Sequence, residues 1–300
     1  MSRSEISSFE GYIGKVFCFA DNLGLLSDSR QFPTKSIASI FLCCFYGSCF
    51  RLKSMAAIEE ETRDGCLYHR VGSISDDTIR YGLNHLDVAS VQEFWNGLNK
   101  RAKRNGMLRE GEFDDYIVGV FDCIETYSSY KRHCPRCLTR KVKTSKATVV
   151  QYYHRVVVLM LAGYTFPIPI GMEMVKPREG EVWCALRLLK RLVGRLGKRF
   201  LDIVIGDAAY CTPRFFKSCE KMGMVPGAVL KENQSDLLHT AMAEKKHLAP
   251  KWQRESKKEK LKLWDLPQVI WDTAERGFRG SGDLCRQKGE RTIRCKCKTN

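Results

Sequence analysis

The sequence predicts an α/β protein in which a helical amino-terminal region precedes a sheet flanked by helices. Three observations carry this expectation. Near Glu110 the texture changes from segments bearing helix start signals to β-branched and aromatic runs. Beyond the change the elements read strand, strand, strand, helix, strand, helix, strand. Within that series "EVWCALRLLKRLVGRLGKR" places Val182, Ala185, Leu186, Leu189, Leu192, Val193 and Leu196 at helical spacing with Arg and Lys between them.

Residues 1–111 are expected to form the helical region. Ser36 to Phe50, "SIASIFLCCFYGSCF", reads as a buried helix. In "SDDTIRYGL", Ser75 is the expected N-cap, and Asp76 and Asp77 occupy the first turn, where carboxylates meet the positive end of the helix dipole. Ser90 and Glu93 have capping-box spacing before "FWNGLNKRAKR", which predicts a second helix start. "RAKRNGMLREGEFDD" then reads as a charged connector.

Residues 112–233 are expected to form the α/β core. "YIVGVFDCI", Tyr116 to Ile124, is the first strand, and Asp122 interrupts it as a carboxylate in a buried setting. "YYHRVVVLMLAGYTFPIPIGMEMV" supplies two more, divided by the turn signal at Gly163. After the long helix, "FLDIVIGDAAY" is a strand ending at Gly206 and Asp207. Thr212 then serves as N-cap with Pro213 at the first helical position, Gly223 stops the helix, and "MVPGAVLKEN" is a further strand.

The 300-residue chain has 44% apolar residues, enough for a packed core of catalytic-domain size plus a smaller partner. Its 50 Lys and Arg against 34 Asp and Glu leave a net charge of +16, which favours a polyanionic partner, nucleic acid above all. No apolar segment reaches the ~18 residues of a membrane span, and the amino terminus lacks a secretory h-region. No membrane association and a cytoplasmic location are the expectation. Many of the 14 cysteines stand singly in apolar runs, among them Cys18, Cys43, Cys44 and Cys184, as reduced thiols do. Cys295 and Cys297, in a basic tail, carry no clear message.

The order of elements acquires a chemical meaning if the first and fourth strands lie side by side. Asp122 and Asp207 would then converge at strand carboxyl ends, where sites in sheets with parallel strands form. Two carboxylates at one place suit hard divalent cations and in-line phosphoryl displacement. Strand-terminal Asp residues also serve as turn formers and helix caps.

Together, "VFDCIETYSS", "HCPRCLTRK", "QYYHRVVV" and "IVIGDAAYCTPRF" resemble the DDE transposases of bacterial insertion sequences, in the insertion-sequence-four-like group. The resemblance runs from Ser75 to Asp272. It implies an RNase H-like mixed sheet flanked by helices, with Asp122 and Asp207 as the first two acids of the catalytic triad. It implies Mg²⁺ or Mn²⁺ as cofactor, hydrolysis and strand transfer at transposon ends, and DNA as the partner at both ends and target. It also implies a homodimer when active, and an amino-terminal region that binds DNA ends or dimerises. Glu125 is a secondary candidate for DNA binding or site support.

The chain departs from this pattern after Leu230. The family places a Glu on a late helix, with Tyr, Arg and Lys at helical spacings, beyond an inserted β-structured segment. Residues 234–300 read as an incomplete insertion, "LWDLPQVIWDTAERG", and an irregular basic tail whose glutamates, Glu275 and Glu290, lie in no convincing helix. The expectation is a transposase that stops before its third acid. The alternative is a non-catalytic DNA-binding remnant that regulates the intact enzyme.

"KRHCPRCLTRKVKTSK" holds seven Lys and Arg and no acid. It is expected to be a loop between the first two strands, with Lys131, Arg132, Arg136, Arg140, Lys141 and Lys143 contacting phosphates. Cys134 and Cys137 have the bite of a tetrahedral Zn²⁺ site. His154 is a third candidate ligand, His133 is less well placed, and Cys123 is distant. Reduced thiols and a redox pair remain the alternatives.

Overall fold

The computed structural model describes residues 3–109, 116–145, 147–255, 260–264, 266, 269–270, 279–280 and 293–295. The chain divides into two compact units, Met1–Met107 and Leu108–Asn300.

The first unit is helical: α1 (Arg3–Phe17), α2 (Phe19–Leu23), α3 (Ile37–Cys49), α4 (Met55–Arg63), α5 (Tyr68–Val71), α6 (Asp76–His85) and α7 (Val88–Arg104). Short polar residues set several starts: Ser36, Ser54 and Ser75 each accept a backbone N–H at the head of α3, α4 and α6. The apolar α3 buries Ile37, Ile40, Cys43 and Tyr46, and no described helix is long and apolar enough to cross a membrane. Aromatic rings knit the centre, where Phe94 meets Phe19 and Phe41 edge-on at centroid separations of 5.6 and 5.0 Å. One expectation is corrected here. The N-cap of α7 is Asp87, which accepts from Ala89 N and Ser90 N, so the helix begins ahead of Ser90. Ser90 is buried within it and accepts a bond from Ser27 N at 3.1 Å.

The second unit is built on a mixed sheet. Its strands are β1 (Val118–Ser129), β2 (Leu138–Lys143), β3 (Thr148–Leu161), β4 (Ile168–Met174), β5 (Ile203–Gly206), β6 (Val225–Leu230) and β11 (Ile293–Cys295). The order is β11-β6-β5-β1-β3-β2, with β4 also paired to β3. β1 and β3 are antiparallel, as are β3 with β2 and β4, whereas β1, β5 and β6 run parallel. Two antiparallel pairs stand apart from this sheet, β7 (Trp252–Glu255) with β8 (Lys260–Leu263) and β9 (Val269–Ile270) with β10 (Arg279–Gly280). The short strand Ile293–Cys295 pairs with β6, where the sequence read as irregular.

The helices are α8 (Glu181–Leu196), α9 (Pro213–Lys221) and α10 (Ser235–His247). The apolar stripe of α8 buries Cys184, Ala185, Leu188, Leu189 and Leu192, and a Cβ on Gly171 of β4 would meet Leu188 and Leu192. That close approach seats α8 on the face formed by Val157, Leu159 and Leu161, all buried. The opposite face carries Val156 and Val158, half-buried, and Ile124, Met172 and Met174, exposed. Thr212 caps α9 with Pro213 at its start, and Gly223 follows with φ +83°.

Two further readings are revised. β1 extends well past Ile124, because its outer half pairs with β3 across a register shift between Glu125 and Tyr127. The basic segment after Cys137 is strand β2, not loop; its side chains are half-buried or exposed, so it lacks the apolar alternation by which strands are recognised.

Candidate active site and metal-ligand cluster

The parallel ladder between β1 and β5 matches Val118 to Ile203, Gly119 to Val204 and Val120 to Ile205. Asp122 and Asp207 each follow the last matched pair by two residues, so they stand at the same level of the sheet, Asp122 within β1 and Asp207 just past the end of β5. Both are exposed, which corrects the buried setting expected for Asp122. Asp122 Oδ1 accepts from Cys123 N at 2.8 Å, and Asp207 Oδ1 accepts from Ala209 N at 2.9 Å, capping the short 3-10 turn Ala208–Tyr210. Neither side chain enters an ion pair among the described residues. The outer carboxylate oxygens are hard donors of the kind Mg²⁺ and Mn²⁺ take.

Beneath Asp207 the chain is tightly packed. A Cβ on Gly206 would stand 2.3 Å from the Tyr210 ring, and that ring stacks on Phe121 at 5.5 Å. Phe121 and Cys123 share the covered face. There Glu181, at the start of α8, pairs with Arg155 at 2.7 Å, a partnership with no signal in the sequence. Burial, then the Glu181 carboxylate, push the Cys123 thiol up to about 11. Burial raises the Tyr210 phenol as well. Side chains alternate along a strand, so Glu181, beside Cys123 and ion-paired with Arg155, is on the opposite face of the sheet from Asp122. Glu275 and Glu290 lie outside the described residues.

The outer half of β1, with β2 and the start of β3, forms a ribbon leaving the sheet at the Asp122 end. Lys131, Arg132, Arg136, Lys141 and Lys143 are exposed on it, and none is ion-paired among the described residues. Arg140 differs. Its guanidinium donates to both oxygens of Glu125 at 2.8 and 3.0 Å, its Nε donates to Gln151, and it lies over the Tyr153 ring. Glu125 is therefore a structural partner of Arg140, at the point where β1 shifts register.

The ribbon also gathers a cluster. Cys134 Sγ and Cys137 Sγ each lie 3.4 Å from His154 Nε2, and the two sulfurs are 3.8 Å apart. Cys137 N donates to Cys134 O at 3.0 Å, closing the turn that aims both thiols inward. His154 comes from β3, opposite Tyr127 of β1. Cys137 is buried, Cys134 exposed, and His154 half-buried with Nδ1 enclosed and unpartnered. His133 stacks on Tyr152 instead, and Cys123 lies beside Glu181, so neither joins the cluster.

No protein-family model matches the chain, and no curated protein matches it. Among solved structures it is similar to the piggyBac transposase in a cryo-EM structure of its synaptic complex with hairpin DNA, at 11% identity and a TM-score of 0.40. The alignment covers 96% of this chain, which spans 59% of that chain.

Proposed function

We propose that the chain is a DDE-type transposase, or a DNA-binding descendant of one, built on an RNase H-like domain. The observation that carries the proposal is the β1–β5 register, which puts Asp122, within β1, level with Asp207, just past the end of β5. The strand order β4-β3-β1-β5-β6, antiparallel on one side of β1 and parallel on the other, supports the fold assignment. In this reading Asp122 and Asp207 hold Mg²⁺ or Mn²⁺, which when bound supplies charge neutralisation at a phosphodiester and an activated attacking oxygen. The peptide N–H groups of Cys123 and Ala209 each bond one oxygen of a carboxylate, and both aspartates are exposed. The exposed cations of the ribbon bind phosphates and offset the repulsion between DNA and the two acids.

A second reading, DNA binding without catalysis, is favoured by one feature: no third carboxylate groups with Asp122 and Asp207 among the described residues. Nicking of transposon-end DNA in the presence of Mg²⁺ or Mn²⁺ separates the two. The enzyme reading expects nicking that falls by more than about 100-fold in Asp122→Ala and in Asp207→Ala, since losing even an outer partner of a metal costs up to that. Tight binding with no metal-dependent nicking by the wild-type chain selects the remnant.

A further inference from the structure

We propose that Cys134, Cys137 and His154 hold a structural Zn²⁺ that clamps the β1–β2 turn onto β3, with water in its fourth position. This goes beyond the functional reading and stands or falls independently of catalysis.

The distances carry it. Zn–S bonds of about 2.3 Å and a Zn–N bond of about 2.05 Å at tetrahedral angles place sulfurs ~3.8 Å apart and sulfur ~3.6 Å from nitrogen. The cluster has 3.8 Å between sulfurs and 3.4 Å from each sulfur to Nε2, so a single ion fits among the three atoms without moving the backbone. A disulfide needs the sulfurs at about 2.05 Å, well inside the observed separation.

Chemistry and location agree with the geometry. Two thiolates and an imidazole are a borderline-soft set suited to Zn²⁺ and ill suited to the Mg²⁺ proposed at the two aspartates. Binding displaces the two thiol protons, and coordination through Nε2 places the remaining imidazole proton on Nδ1. The enclosed Nδ1 has no hydrogen-bond partner, so hydrogen bonding at that nitrogen does not fix the ring. A bond at Nε2 supplies a fixed position.

The ribbon also needs a clamp. From Glu125 to Ser129 on β1, and along β2, side chains are exposed or half-buried, and Cys137 is the one buried apolar residue between Glu125 and Val150 among those described. A segment that buries so little cannot offset the entropy of its own ordering through packing. A metal bridging residues distant in sequence supplies that order, as in small zinc-folded domains. No fourth Cys, His, Asp or Glu joins the cluster among the described residues, and the exposure of Cys134 leaves water access to the remaining position.

Metal analysis of the full chain, purified without added chelator, tests the proposal. It expects one zinc per chain, with affinity lowered at least about 100-fold in Cys134→Ser, Cys137→Ser and His154→Ala, and unchanged in the control Cys49→Ser. Cobalt replacement expects a tetrahedral visible spectrum with charge-transfer absorption from two thiolates. Chelation of the wild-type chain provides a reading free of any folding defect in the variants. It expects proteolytic cleavage to rise between Ser129 and Thr148 while the helical unit stays resistant. Zinc-free protein that takes up no added zinc, zinc retained in all three variants, or a Cys134–Cys137 disulfide found by mass spectrometry overturns the site. A three-thiolate cobalt spectrum overturns the water-filled fourth position.

Discussion

A Cβ at Gly206 would stand 2.3 Å from the ring of Tyr210, a side chain that is wholly buried and stacked on Phe121. The ring has nowhere to move, so Gly206→Ala is expected to cost about 1–3 kcal/mol through overpacking, measured as a lowered urea midpoint. Asp207 caps the turn that places this ring, and its two roles separate by substitution: Asp207→Asn keeps an acceptor for Ala209 N and retains stability, while removing the charge a divalent ion requires. In the helical unit, Asp87→Ala removes bonds to Ala89 N and Ser90 N and is expected to cost ~1 kcal/mol, with Asp87→Asn restoring most of it in thermal melts. Ser90 and Glu93 spell the commoner sequence signature. Asp87 wins because its carboxylate reaches two amides, while Ser90 is drawn into a bond with Ser27, a pairing invisible from local spacing.

At the scale of elements, the ribbon contains two classes of cation. Arg140 is tied to Glu125, Gln151 and the Tyr153 ring, whereas Arg132, Lys141 and Lys143 are exposed and unpaired among the described residues. Replacing those three by Ser is expected to lower the slope of log affinity for DNA against log salt by up to about three, near 0.9 for each phosphate no longer neutralised. Arg140→Ser is expected to leave that slope nearly unchanged and to increase amide exchange along β1 and β2. Titration by fluorescence anisotropy over a salt series distinguishes the two. α8, α9 and the apolar strands β1, β3, β4, β5 and β6 were legible in sequence because capping and burial leave a local pattern on them, whereas α10, in a segment read as insertion, was not. β2 was not, since a strand that buries neither face leaves only its hydrogen bonds to β3 as evidence.

For the whole molecule, buried thiols set an alkaline limit. Burial pushes Cys43 and Cys184 up to about 12, and Cys123 and Cys211 up to about 11. An unfolded thiol titrates near 8.5, so above that value the unfolded chain releases protons that the folded chain retains. Stability is therefore intact below about pH 8.5 and falls as pH rises toward the folded values. Urea midpoints under reducing conditions are expected to be lower near pH 10 than near pH 8. The helical unit has its own core, from Ile6 to Phe94. Residues 1–107 alone are expected to keep helical circular dichroism and a cooperative thermal transition.

The sequence by itself determined what depends on neighbours along the chain. The start of α6 at Ser75, the Thr212–Pro213 entry to α9, the stripe of α8 and the order of the apolar strands around α8 and α9 all follow from capping, ring geometry and apolar period. Only the tertiary structure decided that β1 and β5 are adjacent and parallel, which brings Asp122 level with Asp207. It alone closed Cys134 and Cys137 onto His154, bound Arg140 to Glu125, and set Glu181 across the sheet from Asp122. Those placements arise from strand pairing and helix docking between residues far apart in sequence, whose energies leave no mark on local spacing.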